Sequence, residues 1–238
     1  MIEEKYAVPR ACIFDAYGTL LDIQRLQKSA EKAFGETASL FIALWRQKQL
    51  EYSWVETIYC KYRDFAALAY DALNYTLDAF GIRNTALRDE LFSNYFRLDP
   101  FPDAVPILSV LRQQRIPLGV LTNGSYGMLE EGLRYAKIHG LFDIILSVDE
   151  VRAYKPHPSV YRLASERFRL APHEIVFVSA NGWDCAGADA AGLSVLHLKR
   201  HKSPIIEYQL AHVPIIESLE RLPALLAAPI SPSRQSIS

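Results

Sequence analysis

Five short runs of the chain are mostly apolar: Ala11 to Phe14, Pro117 to Thr122, Asp143 to Val148, Ile175 to Ser179 and Leu193 to Leu198. They are rich in Ile, Val, Leu and Phe and show no clean polar alternation. That pattern predicts strands covered on both faces, as in the middle of a parallel sheet. Helical periodicity separates the last four. Asp103 stands where it can cap a helix with Val105, Leu108 and Leu111 on one face, and Ser125 can cap a second carrying Met128, Leu129, Leu133 and Ala136. Val160, Leu163, Ala164 and Phe168 mark a third, and a short helix rich in small residues runs from Asp184 to Ala191, with Gly192 after it. Repeated strand-helix-strand units predict an α/β fold, a doubly wound parallel-sheet (Rossmann-like) core.

The interval between the first two strands is too long for one crossover and lacks strand patterns. It offers helical stripes instead: Leu40, Phe41, Leu44 and Trp45; Phe65, Leu68, Ala69, Ala72 and Leu73; Leu87, Leu91, Phe92 and Tyr95. Residues 23–99 are therefore expected to form an inserted all-helical cap domain on a core of residues 1–22 and 100–228, with hinges near Asp22 and at Asp99-Pro100-Phe101-Pro102. The Pro- and Ser-rich residues 229–238 are expected to form a flexible tail.

Composition narrows the class. Of 238 residues half are hydrophobic, and 26 Lys and Arg balance 27 Asp and Glu, which excludes a disordered chain and argues against nucleic acid as a partner. The basic cluster Lys199-Arg200-His201-Lys202 reads as a solvated loop. No apolar run is long enough to span a membrane, and the mixed charges of Met1 to Arg10 do not resemble a signal peptide. Cys12, Cys60 and Cys185 are too scattered for a disulfide framework and read as small apolar fillers in a cytoplasmic protein. No histidine pair has metal-ligand spacing, so neither a metal nor another cofactor is expected.

Open parallel sheets bind ligands beyond the carboxyl ends of their strands. Here those ends carry Asp15, then Thr122-Asn123-Gly124-Ser125, then Lys155-Pro156, then Ser179-Ala180-Asn181 with Trp183-Asp184 beyond. A carboxylate nucleophile must be ionised, and the Lys155 ammonium is the obvious group to hold Asp15 so. Gly18 permits a tight turn after Asp15 that aims backbone N–H groups at an anion.

These segments carry a resemblance. Phe14-Asp15-Ala16-Tyr17-Gly18-Thr19-Leu20, Leu121-Thr122-Asn123-Gly124-Ser125, Tyr154-Lys155-Pro156 and Phe177-Val178-Ser179-Ala180-Asn181-Gly182-Trp183-Asp184 resemble the motifs of the haloacid dehalogenase superfamily. The cap segment Leu44-Trp45-Arg46-Gln47-Lys48-Gln49-Leu50-Glu51-Tyr52 is similar to that of its L-2-haloacid dehalogenases, and the likeness runs from about residue 10 to about 225. Many members are Mg²⁺-dependent phosphatases. These place an aspartate where this chain has Tyr17, and an acidic residue where it has Ala180. A phenol is a poor general base at neutral pH, and Mg²⁺ needs hard oxygen ligands, so phosphoryl transfer is disfavoured.

The resemblance implies hydrolysis of short L-2-haloalkanoic acids to 2-hydroxy acids with inversion, through an ester of Asp15. It implies that Arg46 receives the halide with Asn123 and Phe65. It implies that Thr122 and the backbone N–H groups of Ala16 and Tyr17 hold the substrate carboxylate. Thr19 would orient Asp15. Asp184, with Ser179 and Asn181, would activate the hydrolytic water, and Tyr161 would hydrogen-bond Lys155 or Asp184. Gln47, Leu50, Phe65 and Trp183 would line the alkyl pocket. Related enzymes often carry serine at the position of Thr122, whose extra methyl implies restricted substrate size. A homodimer is implied as well. The same nucleophile also suits carbon–nitrogen cleavage of a strained ring such as azetidine-2-carboxylate. A non-catalytic binding module is the remaining reading.

Overall fold

A computed structural model describes residues 9–200 and 208–227. The expected tail, residues 229–238, and most of the N-terminal segment lie outside the described residues, as do His201 and Lys202. Strands β1 (Ala11–Phe14), β2 (Leu118–Thr122), β3 (Ile144–Ser147), β4 (Ile175–Ser179) and β5 (Ser194–Leu198) form where the apolar runs predict them. A two-residue β6 (Ile215–Ile216) completes a parallel sheet of order β3-β2-β1-β4-β5-β6. The chain winds one way from β1 to β3 and the other way from β4, so the crevice for a ligand opens between β1 and β4. Register does the rest. Phe14 pairs with both Val120 and Val178, which brings the residues after β1, β2 and β4 to one sheet edge.

Between β1 and β2 lie α1 (Gln24–Phe34), α2 (Ala38–Ile58), α3 (Phe65–Ala79) and α4 (Thr85–Asn94), an all-helical cap inserted into the α/β core. Asp64 caps α3 by accepting from Ala66 N–H at 2.7 Å, and Asn84 caps α4 by accepting from Leu87 N–H at 3.0 Å. The passages out of and back into the core pair with each other. Asp22 N–H donates to Asp99 O at 2.8 Å and Phe101 N–H to Leu20 O at 2.9 Å.

The core helices are α5 (Ala104–Gln113), α6 (Tyr126–Tyr135), α7 (Pro158–Phe168), α8 (Gly182–Ala190) and α9 (Leu222–Leu226). Several local expectations are corrected. The buried stripe of α5 is Ala104, Ile107, Leu108 and Leu111, with Val105 turned outward, and that of α2 is Phe41, Ile42, Trp45 and Gln49, with Leu40 65% exposed. Neither Asp103 nor Ser125 makes a side-chain capping bond. Cys60 is exposed rather than packed inside.

Arg200 does not sit in a solvated loop. Its side chain is 8% exposed, and its guanidinium pairs with Asp103 Oδ2 at 2.8 Å, donates twice to Thr19 O at 3.1 and 2.8 Å, and lies over the Phe101 ring at 4.1 Å. Asp103 also accepts from Leu219 N–H and Ser218 Oγ–H, so the presumed helix cap is spent on tertiary contacts.

Candidate active site

Asp15 follows β1, is buried, and its backbone N–H donates to Val178 O at 3.0 Å. Both of its carboxylate oxygens accept hydrogen bonds. Oδ1 accepts from Lys155 Nζ at 3.1 Å; Oδ2 accepts from Thr19 Oγ at 2.8 Å and Asn181 Nδ2 at 2.9 Å. Gly18, at φ +86°, turns the chain so that the N–H groups of Thr19, Leu20 and Leu21 all bond back to Ala16 O. The N–H groups of Ala16 and Tyr17 make no bond to another described residue, which leaves two adjacent donors beside the nucleophile.

Lys155 is completely buried, with its ammonium 3.1 Å from Asp15 and 2.9 Å from Asp184. Burial pushes its pKa down, but the two carboxylates more than offset this and the net shift is upward, so the ammonium stays charged. Its backbone N–H donates to Asn123 Oδ1 at 2.8 Å, fixing the loop after β3 to the end of β2. Asp184, in the first turn of α8, is also completely buried; Oδ2 accepts from Ser179 Oγ at 3.0 Å and Oδ1 from Tyr161 Oη at 2.7 Å. Tyr161 therefore serves Asp184 and not Lys155. Burial raises Asp184 to about 6, against the opposing pull of Lys155 and with the repulsion of Asp15.

A cavity of about 30 Å³ closes over these groups between core and cap. Asp15, Tyr17, Thr122, Asn123, Lys155, Asn181 and Trp183 line it from the core; Arg46, Leu50 and Phe65 line it from the cap. Thr19, Tyr161, Ser179 and Asp184 stand behind the first row as hydrogen-bond partners, and Ala16 lies buried in the turn. The Arg46 guanidinium faces the cavity without a carboxylate partner among the described residues.

Gln47 is the one expected pocket residue that the structure puts elsewhere, exposed on the outer face of α2. Gln49 and Tyr95 take part instead. The spacing signal was present: on a helix with Arg46 turned inward, the neighbours on the same face are three and four residues on, Gln49 and Leu50.

Metal fits this donor set poorly. All four oxygens of Asp15 and Asp184 already accept bonds from Lys155, Thr19, Asn181, Ser179 or Tyr161, while Tyr17 and Ala180 bring no carboxylate. Burial, Tyr95 and Asp15 hold the Tyr17 phenol well above its usual pKa, so it is a donor and no general base. Among the described residues no group of three or more His, Cys, Asp or Glu stands together to hold a metal ion, and no helix is long and apolar enough to cross a membrane.

Comparison with known proteins gives the same assignment. The family of haloacid dehalogenase-like hydrolases matches residues 9–192. The chain belongs to that family. Among these hydrolases, (S)-2-haloacid dehalogenase 1 of Pseudomonas sp. (strain CBS-3) is 40% identical over 221 residues, 91% of this chain and 96% of that protein. Haloacetate dehalogenase H-2 of Moraxella sp. (strain B) is 38% identical over 194 residues, 80% of this chain and 86% of that protein. A solved structure of the L-2-haloacid dehalogenase from Xanthobacter autotrophicus with chloropropionic acid covalently bound superposes with a TM-score of 0.84 at 33% identity, over 92% of this chain and 98% of that one.

Proposed function

We propose that this hydrolase removes halide from short L-2-haloalkanoic acids and releases the 2-hydroxy acid with inverted configuration. The observation that carries the reading is one cavity with a Lys155-held carboxylate on its core wall and the guanidinium of Arg46, without a carboxylate partner among the described residues, on its cap wall. Displacement needs those two groups on opposite sides of one carbon. Of the two Asp15 oxygens, Oδ1 accepts one hydrogen bond and Oδ2 accepts two, so Oδ1 retains more lone-pair density for attack. Its attack at C2 forms the ester bond as the carbon–halogen bond breaks, and the halide leaves with the bonding pair toward Arg46, Asn123 and Phe65. Thr122 and the free N–H groups of Ala16 and Tyr17 hold the substrate carboxylate, while Leu50 and Trp183 enclose the alkyl group. A water then gives a proton to Asp184 and attacks the Asp15 carbonyl carbon; the ester C–O bond breaks, the water's second proton passes to the departing alkoxide to complete the 2-hydroxy acid, Asp15 returns as a carboxylate with one new oxygen, and Asp184 sheds its proton to solvent. Ser179, Asn181 and Tyr161 keep Asp184 and Asp15 in place for this step.

The setting is a cytoplasmic homodimer without a cofactor, its cap spanning residues 23–99 and its core residues 1–22 and 100–228. Exposed apolar side chains on α2 such as Leu40 and Ile58 supply a contact surface for the second copy. The test is halide release from L-2-chloropropionate in EDTA, alongside the D-acid, azetidine-2-carboxylate and p-nitrophenyl phosphate. Asp15→Asn is expected to lower turnover by about 10⁴-fold or more. A single turnover in ¹⁸O water is expected to place label in Asp15 and not in the first product. Label in the first product would establish direct attack by water instead.

A further inference from the structure

Three buried polar atoms around the cavity have no hydrogen-bond partner among the described residues: Tyr17 Oη, Gln49 Nε2 and Asn123 Nδ2. Each belongs to a lining residue and each can donate. Gln49 is 2% exposed, lies one helical turn beyond Arg46 on α2, and accepts a 3.2 Å bond from Tyr95 Oη through Oε1. That bond turns the amide carbonyl toward Tyr95 and leaves Nε2 unspent. Tyr95 is itself held, stacked on Tyr17 with ring centres 5.4 Å apart and packed on Trp45 at 5.5 Å. Arg46, Gln49 and Tyr95 line the same cavity, Arg46 and Gln49 from one face of α2, and the Arg46 guanidinium opposes the upward push that burial gives the Tyr95 phenol. A buried corner with a fixed positive charge and an unspent N–H needs a negative acceptor. Given the displacement reaction above, on which this inference rests, the acceptor on that side is the leaving group.

We propose that the Gln49 side-chain amide is a further donor to the departing halide, oriented by the Tyr95 hydroxyl, and a determinant of which halogen leaves fastest. It transfers no proton: the carbon–halogen bond breaks, the halide takes the pair, and the N–H donates to it. Smaller halides accept stronger hydrogen bonds, so a neutral donor helps chloride more than bromide and bromide more than iodide. The experiment measures single-turnover halide release from L-2-chloro-, L-2-bromo- and L-2-iodopropionate, with bromide binding followed by tryptophan fluorescence. Gln49→Leu is expected to slow chloride release by about tenfold or more, bromide release less and iodide release least, and to weaken bromide binding. Tyr95→Phe is expected to follow the same order with a smaller effect, and decides the matter alone if Gln49→Leu does not fold. An equal loss for all three halides with unchanged bromide binding overturns the assignment. If the unaltered protein releases no halide from any haloacid, the dehalogenase reading falls. Bromide binding then decides Gln49 separately: weaker binding in the variant supports an anion donor, and equal binding rejects one.

Discussion

Asp184 is a carboxylate with no solvent contact, and its protonation sets a pH limit. Burial raises it from 3.8 to about 6, with Lys155 opposing and Asp15 adding to the shift. Accepting a proton from water requires the ionised form, so hydrolysis of the Asp15 ester is expected to fall as pH drops through about 6. The sign for stability is the reverse. Between 3.8 and about 6 the folded chain holds a proton that the unfolded chain has released, so this group stabilises the fold at the acid end and loses that contribution as pH rises. Asp184→Asn is expected to abolish hydrolysis while flattening the dependence of Tm on pH across that window, and paired profiles of ester hydrolysis and Tm check both. Lys155 is less replaceable. Lys155→Met leaves two carboxylates, Asp15 and Asp184, buried without their shared cation, and is expected to destabilise the protein by about 3–5 kcal/mol as well as remove activity, measurable by urea unfolding. At this scale the sequence was most informative where residue type is tied to the strand ends: Asp15, Thr122 and Ser179 stand at the ends of β1, β2 and β4, and Lys155 in the loop after β3. Arg200 was misread because its partners, Thr19 and Asp103, are remote in the chain and a local charge run looks solvated.

Among the elements, α8 is the one whose packing the chemistry depends on most directly, since it carries Asp184 against Tyr161 of α7. Gly187 makes that approach possible. A Cβ there would stand 2.5 Å from Tyr161 Oη and 2.6 Å from Pro156 Cβ, so α7 and the loop after Lys155 would both have to move. Gly187→Ala is therefore expected to cost about 1–3 kcal/mol of stability and to lower kcat. Adding Tyr161→Phe is expected to recover part of the stability, because it removes the hydroxyl that the new methyl group meets; a double-mutant cycle measures the coupling. Buried strands were legible as short apolar runs and the cap helices as periodic stripes, which is why five strands and the cap helices fall where expected. Two-residue β6 has no period to read, and a helix face seen from three or four apolar residues can be rotated by one position, as Leu40 and Val105 show.

At the scale of the whole molecule the cap is a lid fastened by particular bonds, and its closure limits what the site can hold. Trp54 Nε1 donates to Lys155 O at 3.1 Å, Tyr154 N–H donates to Thr57 Oγ1 at 3.0 Å, and Tyr62 Oη donates to Asp149. That a cap exists was plain from the long helical interval between β1 and β2; how it seats on the core was not, because on the cap side these bonds come from Trp54, Thr57 and Tyr62, which belong to no motif. The resulting cavity of about 30 Å³ is far below the roughly 300–1,000 Å³ of common ligand sites. So tight a space favours the smallest haloacids, and each further methylene is expected to press on the cap wall at Leu50 or Phe65. The ratio kcat/KM is expected to fall by about tenfold or more per methylene from L-2-chloropropionate to L-2-chlorobutyrate and L-2-chlorovalerate. Leu50→Ala removes wall from the cap side and leaves Asp15, Lys155 and Arg46 untouched, so it is expected to flatten that series by favouring the longer acids. The comparison separates two physical limits. A steep series that Leu50→Ala flattens identifies the closed wall as the selector, whereas a series already flat in the unaltered protein would mean that the lid opens during turnover and that closure does not choose the substrate.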